Sequence, residues 1–461
     1  MTNGFNRREF VGAAAAAGTA LAFGAPAIGA DRSQRPNVIF IMADDMGYAD
    51  LSCTGSHHIK TPAIDSIAQN GLLLRQGYSN SSICSPTRTA LLTGCYQYRF
   101  RVGLEEPMTS LDYGVPLDRP TIASAFRALG YRTKLVGKWH LGAPPEHGPL
   151  QHGYDEFLGL LEGAGDYFRH AIVADGKNFG SGLVQGNDPI ERAGYLTDLF
   201  GDEAVRTIET VRKGQPLFMS LHFNAPHWPW EGPEDRAVSD TLGDIFHRDG
   251  GNLATYKKMV EAMDANVAKL LAALDRMGMR ENTIVVFTSD NGGERFSETW
   301  PFVGVKGELL EGGIRVPILM QWPGKIAAGS RSEQVMMSMD FLPSLLAMAG
   351  KAPSAARDFD GMDLSAQLKG GNAVERTLFW RFKANEQAAV RSGDWKYLKL
   401  AGREYLFNLS QDERERANLL GKHPDRAADM RRAFDEWNAA MLPYPLASYS
   451  EDVSTSYVDR Y

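Results

Sequence analysis

The chain has 461 residues, 43% hydrophobic and 23% charged, which is enough to bury a large core and ordinary for a globular protein. Its 49 Lys and Arg against 56 Asp and Glu leave a net charge of −7, which excludes a general attraction to nucleic acid or an anionic membrane. An anionic substrate must therefore meet local cations.

Arg7-Arg8-Glu9-Phe10 leads into an Ala- and Gly-rich apolar run that ends near Ala25-Pro26-Ala27. This is the layout of an export signal, and the paired arginines resemble a twin-arginine signal, the route for proteins exported already folded. The run falls short of the ~20 residues that span a bilayer. We expect residues 1–30 to engage the twin-arginine export machinery, cleavage after Ala27 or Ala30, no stable membrane insertion, and a periplasmic or secreted mature protein. The three cysteines, Cys53, Cys84 and Cys95, form neither a disulfide framework nor a zinc pattern. In an oxidising compartment one pair can bridge, and the odd thiol then needs its own explanation.

From Pro36 onward strand-like runs alternate with helix-like segments. That pattern predicts an α/β fold, a large mainly parallel sheet sandwiched by helices. Asn37 to Met42 is the first buried strand, and it runs straight into Ala43-Asp44-Asp45. Thr61-Pro62 opens a helix that Gly71 closes. In Cys84-Ser85-Pro86-Thr87-Arg88, Ser85 suits an N-cap, Pro86 the first helical position, and Gly94 the helix end. Cys84 then lies just outside a helix N-terminus, where free amides favour anions, with the fixed charge of Arg88 one turn in. A helix over Arg119 to Leu129 is closed by Gly130, and a strand follows over Thr133 to Val136. Alternation along that strand puts Lys138 and His140 on one face.

A strand over Leu217 to Phe223 leads to Asn224-Ala225-Pro226-His227, and a long helix spans Leu253 to Met277. The strand Thr283 to Thr288 leads to Asp290-Asn291. Val305-Lys306-Gly307-Glu308 precedes a turn over Gly312 to Pro317 and a strand over Pro317 to Gln321. After Leu368 to Gly371 the pattern changes: Ala388 to Leu400 and Glu404 to Leu409 read as short antiparallel strands, and Ala427 to Met441 as an amphipathic helix. The chain thus divides into a signal segment, a large α/β domain over 36–371 and a smaller C-terminal α+β domain over 372–461.

Ligands of open α/β sheets bind at the carboxyl ends of strands, where Asp44-Asp45, Asn224 to His227 and Asp290-Asn291 begin. The hard oxygen donors of Asp44, Asp45, Asp290 and Asn291 suit calcium or magnesium.

The Cys84 to Gly94 string resembles the first signature of formylglycine-dependent sulfatases of the alkaline phosphatase superfamily, whose core is Cys-x-Pro-x-Arg. Thr87 stands where many members carry Ser. Gly130 to His140 resembles the second signature, Asp44 to Asp50 the opening motif, and Asn224 to His227 and Val305 to Glu308 fit as well. The resemblance runs from about Pro36 to Pro317, and less specifically onward through Leu406 to Leu409 and Asn418-Leu419. It implies that a formylglycine-generating maturation enzyme converts Cys84 to 3-oxoalanine, whose hydrate is the nucleophile. That conversion removes the odd thiol and leaves Cys53 and Cys95 either bridged or reduced. It further implies one Ca2+ held by Asp44, Asp45, residue 84, Asp290 and Asn291. Arg88 and Lys138 then hold the hydrate, His140 takes its second hydroxyl proton, and His227 with Lys306 serves the leaving oxygen. The implied reaction is hydrolysis of a sulfate monoester of an aryl alcohol or a carbohydrate, on a sulfated small molecule or glycan.

A phosphate or phosphonate ester hydrolase of the same superfamily is the nearest rival, but such enzymes usually carry Asp-His-Gly where this chain has Asp290-Asn291-Gly292. A non-catalytic carbohydrate-binding relative would have lost at least one costly polar group, and every expected position is occupied. Trp228, Trp230, Phe296 and Trp300 lie near these segments, as stacking surfaces for a ring or as core.

Overall fold

The computed structural model describes residues 35–445 except 106, 109, 246–250 and 352–358, so the predicted export signal lies outside the described residues. One sheet of ten strands organises the large part of the chain. Its middle is parallel: Asn37–Ala43 lies between Leu217–His222 and Thr283–Ser289, with Arg132–Gly137 and Glu156–Leu160 beyond. Such strands are covered on both faces, which is why they read as continuous apolar runs. Val38, Phe40 and Met42 enter one core with Phe126, Phe218 and Val286. Ile39, Ile41 and Ala43 enter the opposite one with Ile64, Phe200 and Met263. Full burial of a side chain such as Ile41 contributes about 1.5–3 kcal/mol.

The predicted strand near 317–321 is present as Ile318–Gln321 but runs antiparallel to Thr283–Ser289. The connection between them contains only the short Glu311–Ile314 helix rather than a crossover that returns the chain to its starting edge. The helix expected from Arg119 starts at Ile122, because Thr121 and Ser124 form a reciprocal cap that sets its first turn. The long helix is Leu253–Arg276, capped by Asn252 Oδ1 accepting from the Thr255 amide at 3.0 Å, and it packs on Leu196–Glu209. Among the described residues no helix is long and apolar enough to cross a membrane.

A separate antiparallel sheet of four strands follows: Thr377–Phe382, Gln387–Ser392, Trp395–Leu400 and Arg403–Asn408. The segment read as one strand over Ala388 to Leu400 is two strands around a turn in which Gly393 has φ 55°. The last helix is Pro424–Ala439, one turn earlier than its apolar spacing suggested, because Pro424 opens it. Trp380 and Phe382 of the small sheet share a buried cluster with Tyr78, Leu309 and Ile314, so this sheet braces loops of the large one.

Candidate active site

Four adjacent parallel strands deliver polar side chains at their carboxyl ends. Asn37–Ala43 ends in Asp44 and Asp45, Arg132–Gly137 in Lys138, Leu217–His222 in the Asn224 to His227 loop, and Thr283–Ser289 in Asp290 and Asn291. Sheet-like hydrogen bonds continue past the strands and fix these loops: Asp44 N to Ala225 O at 3.1 Å, Lys138 N to His222 O at 2.9 Å, and Asp290 N to Ala43 O at 3.2 Å.

The helix that carries the first signature is Cys84–Thr93, with extended Ile83 in the capping position, so Ser85 is not its N-cap. Ser85 Oγ instead accepts from the Met108 amide at 2.8 Å. Gly94 ends the helix in the left-handed region at φ 67°, as its lack of a Cβ permits. Cys84 therefore sits in the first turn among free amide groups, its Sγ 3.9 Å from Asp45 Oδ1. Burial pushes its thiol well above the ordinary value, with Lys138 and Lys306 only partly opposing. A thiol kept protonated is a poor nucleophile.

Around it lies a network of buried charges. Arg88 Nη2 lies 2.8 Å from Asp290 Oδ2 and 3.4 Å from Asp44 Oδ1. Lys138 Nζ donates to Asp44 Oδ2 at 2.6 Å, and Lys306 Nζ to Asp45 Oδ2 at 2.5 Å. His227 Nε2 is 3.4 Å from the same Asp45 oxygen. Burial raises the Asp45 pKa, yet Lys306, His227 and Lys138 outweigh it and hold the carboxylate well below its usual range.

The donor set fits a hard divalent cation. Asn291 Nδ2 donates to Asp45 Oδ1 at 2.8 Å, which leaves Asn291 Oδ1 buried with no hydrogen bond. Asp44 Oδ1 likewise accepts none. Buried oxygens left unmatched in this way mark a missing partner, and these belong to residues expected as ligands. Ligand atoms of Asp44, Asp45, Cys84 and His227 lie within 4.8 Å of one another. Asp290 is turned toward Arg88, and its Oδ1 accepts from the Asp45 amide at 3.2 Å. His227 therefore stands against the Asp45 carboxylate, among the groups that could hold the cation.

Lys138 and His140 both lie beyond the strand, which stops at Gly137, so strand alternation is not what orients them. His140 has φ 57°, and its Nε2 lies 2.8 Å from the Met108 carbonyl oxygen. That bond places the ring proton on Nε2 and leaves Nδ1, buried and without a partner, as a free lone pair. Burial, then the Lys138 charge, hold His140 well below its ordinary pKa. Burial and the Lys306 and Lys138 charges push His227 down to about 3 despite Asp45. Both rings are therefore neutral at neutral pH in the cation-free protein.

Two residues that no motif announced complete the surroundings. Gln387 Oε1 accepts from Leu309 N at 2.8 Å and its Nε2 donates to Gly307 O at 2.9 Å, so the small sheet clamps the turn that carries Lys306. Glu294 Oε2 lies 3.7 Å from Lys306 Nζ. Its only trace in the sequence is an acidic residue shortly after Asp290; Gln387 leaves none. Of the aromatics, Trp230 is core, Trp228 and Phe296 are half-buried, and Trp300 is 57% exposed with the Arg414 guanidinium 4.7 Å over its ring. Cys53 and Cys95 are unbridged.

The sulfatase family profile matches residues 36–351, and that of the N-sulphoglucosamine sulphohydrolase C-terminal region matches residues 306–436. The chain belongs to the sulfatase family. The N-acetylgalactosamine-6-sulfatase of Mus musculus is 33% identical over 399 residues, covering 82% of this chain and 73% of its own. Arylsulfatase A of Homo sapiens is 32% identical, covering 84% and 83%. The crystal structure of Ps i-CgsB superposes with a TM-score of 0.80 at 30% identity, covering 91% of this sulfatase and 97% of that chain. The sulfatase is thus a sulfate ester hydrolase on the α/β fold that its strand and helix pattern predicts. Its family generally uses formylglycine and a divalent metal, and the buried cluster beside Cys84 suits both.

Proposed function

We propose that this sulfatase desulfates a carbohydrate or aryl ester with formylglycine made from Cys84 beside one calcium ion. The observation that carries the reading is the meeting of Cys84, at a helix N-terminus, with the unmatched oxygens of Asp44 and Asn291 and the cations Arg88, Lys138 and Lys306. In place, the hydrated aldehyde supplies an oxygen nucleophile with a built-in exit, and the calcium ion supplies Lewis-acid polarisation. Asp44, Asp45, Asp290, Asn291 and residue 84 are the ligands on this reading. A set of several protein oxygens favours calcium over magnesium, which keeps more of its water.

The chain's own residues do the rest. Arg88 and Lys138 offset the carboxylate charge next to residue 84 and orient it. His140, with its proton fixed on Nε2, accepts a proton at Nδ1. Lys306 and His227, on the Asp45 side, offset the charge that develops on the leaving oxygen. Among the described residues one cluster of metal-holding side chains occurs, which supports a single-metal sulfatase over a two-metal phosphatase. A carbohydrate substrate is supported by the structure of Ps i-CgsB in complex with k-i-k-neocarrahexaose.

The formylglycine-generating enzyme and the twin-arginine machinery are the partners this reading requires, and the periplasm the compartment. Replacing Arg7 and Arg8 together by Lys then strands the protein in the cytoplasm; unaltered export excludes that route. The deciding experiment compares 4-nitrophenyl sulfate with 4-nitrophenyl phosphate on calcium-loaded protein whose residue 84 is formylglycine by peptide mass spectrometry. Higher kcat/KM for the sulfate is expected. A preference for phosphate, or full activity with unmodified Cys84, refutes the reading.

A further inference from the structure

Glu294 has no part in the steps above, yet it is a buried carboxyl group beside Lys306. Gly293 pins the chain just before it: a Cβ there would lie 1.9 Å from Ser297 Oγ and 2.7 Å from the Gly47 nitrogen. Just after it, Arg295 has φ 24°, a conformation that a non-glycine residue keeps only where the surroundings enforce it. The kink separates two charges. Glu294 is buried against Lys306, and the Arg295 guanidinium lies 5.1 Å over the Trp230 ring.

The Trp228 and Asp45 side chains both hydrogen-bond the Glu294 carboxyl group. Glu294 Oε2 is buried and accepts no hydrogen bond, with only the Lys306 ammonium facing it at 3.7 Å. A buried acceptor without a hydrogen bond is costly, so a donor arriving with the substrate is favoured there.

We propose that Glu294 is a specificity-determining residue. Together with Lys306 it reads two oxygens of the alcohol being released, and so selects sulfated sugars and other polyol sulfates over simple aryl sulfates. The inference rests on the assignment of Lys306 to the leaving oxygen. A hydroxyl one or two carbons along the alcohol lies about a hydrogen-bond length from that oxygen. The 3.7 Å between Lys306 Nζ and Glu294 Oε2 suits such a pair, with Lys306 donating to the ester oxygen and the hydroxyl donating to Glu294. A phenyl sulfate brings no donor and leaves Oε2 unmatched. Sites built around a substrate hydroxyl reject analogues that lack it by up to about 10⁴–10⁵.

The test uses matched esters: 2-hydroxyphenyl sulfate, its 4-hydroxy isomer, and 2-methoxyphenyl sulfate, which keeps the bulk without the donor. With the matured, calcium-loaded enzyme, kcat/KM for the 2-hydroxy ester is expected to exceed both others at least tenfold. In Glu294→Met, which keeps the volume and removes the acceptor, the 2-hydroxy ester is expected to lose at least fivefold more than the other two. No preference in the wild type, or a preference that survives in Glu294→Met, overturns the proposal. So does an equal loss with all three esters, which makes Glu294 a support for Lys306. Sulfate release from none of them, nor from 4-nitrophenyl sulfate, sinks the catalytic reading itself and this inference with it.

Discussion

Arg88 and Asp290 meet at 2.8 Å with neither side chain more than 2% exposed. Both groups have left water; burial, then the Asp44 charge, push the Asp290 carboxyl up to about 7, and Arg88 is the first group that opposes them. In Asp290→Ala the guanidinium keeps only the more distant Asp44 as a charged partner. We expect a loss of about 3–5 kcal/mol of stability, the usual cost of breaking a buried pair from one side. Urea unfolding of chelated protein measures it without a contribution from the cation. An unchanged midpoint would show that Asp44 alone suffices.

His140→Ala removes the Nδ1 lone pair that stands free because Met108 holds Nε2. Loss of a positioned proton acceptor lowers kcat by about 10²–10⁴. KM is expected to change little, because on the proposed reading the ring accepts a proton rather than holding the sulfate group. Steady-state kinetics with 4-nitrophenyl sulfate separate the two, and a variant weakened chiefly in KM would assign His140 to binding.

Calcium is expected to bind at one site per chain and to stabilise the fold. At a free concentration a hundredfold above Kd the gain is about 2.7 kcal/mol. Calorimetric titration of chelated protein reads the stoichiometry, and the melting temperature reads the gain. Asn291→Ala removes a proposed ligand whose Oδ1 is otherwise unmatched, so it is expected to weaken binding at least tenfold. Two equivalents of metal, or a requirement for zinc, would contradict the single hard-cation site.

Glu231, fully buried, accepts from the Tyr167 amide at 3.0 Å. Burial, then the nearby Asp166 charge, push its carboxyl up from 4.5 to about 9. The folded protein keeps this proton where the unfolded chain has lost it. Its contribution to stability is therefore complete below pH 4.5 and is lost as pH rises toward about 9. Glu231→Gln cannot ionise, so it removes a stability slope of about 1 kcal/mol per pH unit. Unfolding free energies at about pH 5 and about pH 8 compare the two proteins. Equal slopes would mean that Glu231 ionises in the fold at little cost.

The sequence by itself determined the α/β order, the strand ends that carry Asp44, Asp45, Asp290 and Asn291, and the two signatures around Cys84 and His140. These are local matters: an apolar run long enough to cross a buried sheet, followed by polar residues that cannot stay inside it. Only the tertiary structure decided which charges pair. Lys306 meets Asp45 and Glu294, and Gln387 clamps the Lys306 turn, through contacts between loops and sheets far apart in the chain. No periodicity encodes such contacts, because they follow from how the two sheets pack. The strand beginning near Pro317 ran antiparallel for the same reason: pairing direction depends on where the connecting loop returns the chain, and apolar spacing is identical in either direction. At the Cys84 helix the fold overrides a local cap signal. Ser85 has the right chemistry for a cap, but Met108, brought in by the fold, takes its hydroxyl and leaves residue 84 itself in the first turn.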